Sequence, residues 1–118
     1  MKINITGNQL DLTPSLTTYI EEKLGALHRL VQHFDAQGSA ELRVEVSRTT
    51  HHHRKGDVFK AAGDLTLPEK VIRAEAEAED IRMAIDMLKD KLYTEIEKNK
   101  ERHEGKADSA EKRAMRGK

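Results

Sequence analysis

The stretch VFKAAGDLTLPEKVIRAEAEA, residues 58–78, decides the fold. Phe59, Ala61, Gly63, Leu65 and Leu67 fall on one side of an extended chain, with Val58, Lys60, Ala62, Asp64 and Thr66 on the other. Pro68 closes this strand, and a tight Pro-Glu connection leads into residues 70–78, where Ile72, Ala74, Ala76 and Ala78 alternate with Val71, Arg73, Glu75 and Glu77. Ala and Glu favour helices, but a helix would scatter these alanines around its circumference, so the alternation predicts a strand. Upstream, Leu42, Val44 and Val46 alternate with Glu41, Arg43, Glu45 and Ser47. At the N-terminus Ile3 and Ile5 alternate with Lys2, Asn4 and Thr6, before Gly7 and Asn8 end the pattern.

Two helices fill the remaining chain. Thr13 followed by Pro14 is a start signal, since the Thr hydroxyl accepts an orphan N–H and Pro at the first position sacrifices no hydrogen bond. Leu16, Ile20, Leu24, Leu27, Val31 and Phe34 then trace one apolar stripe, predicting a helix over residues 14–34, with Gly38 as the turn beyond it. Asp80 caps a last helix with the stripe Ile81, Ala84 or Ile85, Leu88, Leu92 and Ile96, expected to end near Gly105. The predicted fold class is α+β, in the order β-α-β-β-β-α, with a four-stranded sheet and two helices packed on one face. Residues 1–105 form the domain, and residues 106–118, whose apolar residues are Ala107, Ala110, Ala114 and Met115, are expected to be a flexible charged tail.

The chain of 118 residues supports one modest core. It carries 21 Lys and Arg against 21 Asp and Glu, which excludes a uniformly basic coat. Without Cys there are no disulfides, thiolate nucleophiles or Cys-based zinc sites. The N-terminus lacks the apolar core of a signal peptide and no later run is long enough to span a bilayer, so the expected location is the cytoplasm, with no membrane partner.

His51, His52 and His53 are the obvious metal-ligand candidates, but only His51 and His53 share a side of an extended chain, and a closed site needs further ligands. Flanked by Arg48, Arg54 and Lys55, the loop reads better as a phosphate contact than as a metal site. Glu75 and Glu77 point the same way on a strand, but no nucleophile or pocket accompanies them, and they are expected to face Arg43 and Lys60 in a charge ladder. Glycine-rich phosphate loops, nucleophile elbows and His-Glu metalloprotease motifs are absent, so the reading is not an enzyme, with no cofactor and no small-molecule substrate.

Charge is segregated along the chain. Residues 69–86 hold three basic and six acidic side chains, and residues 87–118 hold ten basic and seven acidic. Lys91, Lys98 and Arg102 form one stripe beside the apolar face of the last helix, while Lys89 and Lys100 form another. Such stripes suit a phosphate backbone, and equally a solubilised helix supported by ion pairs four residues apart. With four aromatic residues in the chain, a base-stacking platform is not expected, so any RNA contact is to phosphates and shape.

The sequences INITGNQLDLTPSL (3–16), Tyr19, Ile20, Lys23, Leu24 and Leu27, and EDIRMAIDMLKDKL (79–92) resemble the ribosome hibernation promoting factor family, in its short form. This family also contains the ribosome-associated inhibitor and was once named for sigma-54 modulation. The resemblance spans residues 2–104. It implies a domain similar to a double-stranded-RNA-binding fold, lodged in the small-subunit channel where messenger and transfer RNA lie and silencing translation by occlusion. It implies the small ribosomal subunit and its RNA as partner, a monomer off the ribosome, and RNA contacts at Lys23, Lys91, Lys98, Lys100 and Arg102. Arg82 and Lys89 join that candidate set, and Arg48, Arg54 and Lys55 form a candidate contact loop. Departures from the family pattern are Arg82 in place of the usual Tyr, Ala26 where Lys is common, Thr94 where Arg is common and Glu95 where Gln is common. The competing readings are a protein-interaction or regulatory module that binds no RNA, and a metal-responsive protein using His51 to His53.

Overall fold

A strand that pairs parallel with its successor needs a crossover between them, and here the crossover is helical. In the computed structural model, which describes residues 1–32, 38–50 and 57–116 (side chains of 50, 57 and 100–116 excepted), strand β1 (Lys2–Asn8) leads through helix α1 (Pro14–Gly25) and the single turn α2 (His28–Val31) to strand β2 (Glu41–Thr50). Strands β3 (Asp57–Thr66) and β4 (Val71–Ala78) follow antiparallel, and helix α3 (Ile81–Arg116) closes the chain. The sheet order is β1-β2-β3-β4, with β1 parallel to β2. The predicted α+β class and element order hold. Among the described residues no helix is long and apolar enough to cross a membrane.

The register explains why alternation in four separate segments yields one dry face. Ile3, Leu42, Leu65 and Ile72 make one cross-sheet row, Ile5, Val44, Gly63 and Ala74 the next, and Gly7, Val46, Ala61 and Ala76 the third. The rows taper from large to small side chains, and α3 rests where they are small. Leu88 and Leu92 lie 3.5 and 3.4 Å from where a Cβ on Gly63 would be. Leu16, Ile20 and Leu24 of α1 and Ala84, Ile85, Leu88, Leu92 and Ile96 of α3 complete the core. Burying each Leu or Ile contributes about 1.5–3 kcal/mol.

Both predicted caps form. The Thr13 hydroxyl accepts from Leu16 N–H at 3.2 Å, and the Asp80 carboxylate accepts from Arg82 N–H at 2.7 Å. The Pro68 turn is closed by Leu67 N–H donating to the Lys70 carbonyl at 2.8 Å.

Three boundaries differ from the sequence reading. β1 runs on through Gly7 and Asn8, because both still pair with Val46 and Ser47, and the chain turns at Gln9, with φ 56°. The helix expected over residues 14–34 is split: after Gly25 the backbone tightens, Leu27 N–H donates three residues back to Leu24, and α2 is a separate turn, while residue 34 lies outside the described residues. The apolar stripe is uninterrupted because Leu27 and Val31 stay buried across the break. The last helix continues past Gly105 to Arg116. Between these positions Ala, Glu, Lys and Arg dominate and Pro is absent, so helix propensity absorbs the roughly 1 kcal/mol that one internal glycine costs.

Candidate nucleic-acid interface

β1, β2 and β4 point the same way, so α1 and α3, each following one of them, both return in the opposite direction and lie parallel. Their alignment is in register. Arg82 Nη2 donates to Ser15 Oγ at 3.0 Å and the Tyr19 hydroxyl donates to Asp86 Oδ1 at 2.7 Å, one turn further along, both pairs being 67 residues apart. These contacts form a polar seam along the outer side of the two helices.

Lys23 and Arg82, both predicted contacts, meet on this seam. The Arg82 guanidinium lies 4.8 Å and the Lys23 ammonium 5.6 Å from the centroid of the Tyr19 ring, within range of attraction to its π face. Lys23 also sits 3.6 Å from Asp86 Oδ1. The hydrogen bond to Asp86 holds the Tyr19 hydroxyl above the ordinary tyrosine range, helped by desolvation and by the Asp86 charge. Lys89, seven residues after Arg82, is half-buried on the same flank of α3.

Lys91 and Lys98 occupy the opposite flank, beside the free edge of β4. Lys91 Nζ donates to the Glu75 carbonyl at 2.8 Å, and Lys98 pairs with Glu95 at 3.7 Å. A cleft of about 410 Å³ between β4 and α3 is lined here by Arg73, Ala74, Glu75, Asp90, Lys91, Thr94 and Glu95. The predicted basic residues of α3 therefore do not form a single surface: one set borders α1 and the other borders β4.

Arg48 is exposed near the end of β2, in register with Phe59 and so with Ala78, at the end of the sheet where α1 and α3 begin. Arg54, Lys55 and the three histidines His51 to His53 lie outside the described residues. Lys100 and Arg102 are on the backbone of α3, with side chains outside the description. On the open face of the sheet Lys60 pairs with Glu75 at 3.2 Å, as the expected charge ladder requires. Arg43 instead turns to Glu41 two residues away at 2.9 Å, and Arg73 pairs with Asp64 at 3.4 Å.

Sequence reasoning did not single out Tyr19, Ser15 or Asp86 as parts of this surface. The signal available was local: Tyr19 lies four residues before Lys23, on the same side of α1. Their partners on α3 are set only by the tertiary alignment.

With this geometry in place, comparison with known proteins is specific. The family described as Sigma 54 modulation protein / S30EA ribosomal protein matches residues 3–104. A ribosome hibernation promoting factor of Azotobacter vinelandii is 36% identical over 102 residues, covering 86% of this chain and 85% of that protein. The protein of the same name from Pseudomonas putida is 32% identical over 104 residues, covering 88% of this chain and 91% of that protein. Among solved structures, the N-terminal domain of Thermus thermophilus Protein Y superposes with a TM-score of 0.63 at 27% identity, covering 83% of this chain and 98% of that one. A ribosomal subunit interface protein from Coxiella burnetii superposes with a TM-score of 0.62 at 26% identity, covering 85% and 98%. The shared region includes all four strands, both capped helix starts and the seam between α1 and α3, and the chain belongs to the Sigma 54 modulation protein / S30EA ribosomal protein family.

Proposed function

We propose that this protein is a ribosome hibernation factor, which binds the small ribosomal subunit in the channel for messenger and transfer RNA and inhibits translation by occupying it. The observation that carries this reading is the similarity, over most of both chains, to proteins named ribosome hibernation promoting factor, at 36% identity over 86% of this chain and 85% of the relative. The chain acts by binding as a single copy in the cytoplasm, making and breaking no covalent bond. Lys23 of α1 with Arg82 and Lys89 on the facing flank of α3, and Lys91, Lys98, Lys100 and Arg102 along the rest of α3, supply the cations for ribosomal RNA phosphates. Arg48 and the loop with Arg54 and Lys55 extend the contact at one end. Lys and Arg suit this task because neutralising phosphates releases condensed counterions, a gain that salt erases.

Co-sedimentation with purified small subunits at low and high salt tests the proposal. Contacts to about four phosphates give a loss on the order of 10²-fold in affinity between 50 and 200 mM salt. A variant combining Lys23→Glu, Arg82→Glu and Lys89→Glu is expected to pellet poorly even at low salt, and wild-type protein is expected to suppress translation in a reconstituted system. Absence of binding by wild-type protein at low salt overturns the proposal and favours a partner other than RNA.

A further inference from the structure

Tyr19 is placed to act on other residues of the candidate interface. Its hydroxyl is committed to Asp86 at 2.7 Å, which fixes the ring in the seam. Against that ring stand two cations, Arg82 at 4.8 Å and Lys23 at 5.6 Å from its centroid. Ser15 Oγ takes one guanidinium N–H of Arg82 at 3.0 Å, leaving most of the five donors of that group to face outward, since the residue is exposed. Asp86 Oδ1, which accepts from the Tyr19 hydroxyl, also lies 3.6 Å from the Lys23 ammonium. Arg and Lys side chains are flexible, and immobilising each on binding normally costs affinity. Here much of that ordering exists before any ligand arrives.

We propose that Tyr19 is a positioning residue of the RNA interface: its ring, anchored by Asp86, holds both Arg82 and Lys23 on the rim of the α1–α3 seam, ready for phosphates of an RNA backbone. This rests on the ribosome-binding reading above. Tyr19 itself contributes no charge to the RNA and no base stacking, because its ring is occupied by the two cations. The ring is the essential part and the hydroxyl the anchor. Removing the ring is therefore costly to binding, whereas removing the hydroxyl alone costs little.

The test is a titration of purified small subunits at one low salt concentration with wild-type protein, Tyr19→Phe, Tyr19→Leu, the double variant Lys23→Met with Arg82→Met, and the triple variant adding Tyr19→Leu to that pair, each checked by thermal melting. Tyr19→Leu is expected to weaken binding about threefold to tenfold, as loss of ordering in two side chains predicts. Tyr19→Phe is expected within about twofold of wild type, since it keeps the ring against both cations. In the background lacking both cations, Tyr19→Leu is expected to cost nothing further, which a merely structural role cannot produce. Tyr19→Leu binding as well as wild type overturns the inference, as does an equal loss with and without the cations. Should Tyr19→Leu fail to fold, Tyr19→Met takes its place, keeping a long apolar side chain without a π face, with the same threefold to tenfold loss expected; wild-type affinity for it then overturns the inference. Wild-type protein that does not bind small subunits refutes the ribosome-binding reading itself, a result distinct from wild-type binding that is indifferent to Tyr19.

Discussion

Replacing Gly7 by Ala probes the turn that delivers α1 to its place beside α3. Gly7 pairs with Val46 in β1, and its φ is not in the left-handed region, so the requirement for glycine is steric and not conformational. A Cβ there would lie 2.6 Å from the Leu10 carbonyl oxygen and 3.0 Å from Leu12 Cγ. Relief to an ordinary contact near 3.4 Å must come from the backbone of residues 8–12, since the closest atom is main-chain. Overpacking of this kind costs about 1–3 kcal/mol, against a gain of about 0.4–1 kcal/mol from the stiffer unfolded chain. The net expectation is a loss of about 1–2 kcal/mol. Gly25→Ala is the internal control: a Cβ there meets nothing within 4 Å and the residue is helical, so a gain of about 0.5–1 kcal/mol is expected. Urea unfolding followed by far-ultraviolet circular dichroism measures both, and at a slope of about 1–2 kcal/mol/M the two midpoints should separate by about 1 M or more. Equal midpoints for Gly7→Ala and Gly25→Ala would refute the steric argument.

Two further substitutions read the seam and its approach. Thr13→Ala removes the hydroxyl that accepts from Leu16 N–H and should lower stability by about 1 kcal/mol, seen as a lower melting temperature. Tyr19→Phe should alter stability on the alkaline side. Because the folded pKa of Tyr19 is raised, its contribution is fully present below the unfolded value near 10 and is lost as pH rises through the folded value. Stability of wild type should therefore fall across that window more steeply than that of Tyr19→Phe, in denaturant midpoints measured from pH 8 upward.

What was legible in the sequence was whatever depends on local period. The alternation of Ile72, Ala74 and Ala76 with Arg73 and Glu75 outweighed the helix propensity of Ala and Glu, because a strand gives those small residues one face, and that face is where α3 sits. Thr13 and Asp80 announced their helices through side chains that cap neighbouring backbone. The misplaced boundaries share a cause: Gly7, Gly25 and Gly105 were each read as the end of an element or passed over by the stripe, yet a glycine stops a strand or helix only if the pairing or backbone around it changes. Gly7 keeps its partner Val46, and α3 continues through residue 105. The composition of the seam was not legible, because Ser15 with Arg82 and Tyr19 with Asp86 meet across 67 residues. Period alone placed Lys89 and Lys91 on two stripes of the last helix, and only the packing of α1 on one side and β4 on the other gives the two stripes different surroundings.

That difference bears on how a chain of zero formal charge would meet the polyanionic partner proposed above. Charges interact with RNA across about a Debye length, roughly 10 Å at 0.1 M salt, so the local balance matters more than the total. On the open face of the sheet, cations are matched within reach: Lys60 by Glu75, Arg73 by Asp64 and Arg43 by Glu41. Exposed pairs of this kind contribute little stability, but each cancels most of its own charge locally. The β4 flank of α3 around the cleft carries three carboxylates, Glu75, Asp90 and Glu95, against two cations, Lys91 and Arg73. In the seam Asp86 lies beside Lys23 and the Tyr19 hydroxyl and anchors both, and the charge of Asp80 also reaches that hydroxyl. On the proposed RNA-binding reading, the two cations held against the Tyr19 ring are the ones ready for phosphate, and charge reversal at Lys23 and Arg82 is expected to weaken small-subunit binding more than the same change at Lys91 and Lys98, whose flank is richer in carboxylates.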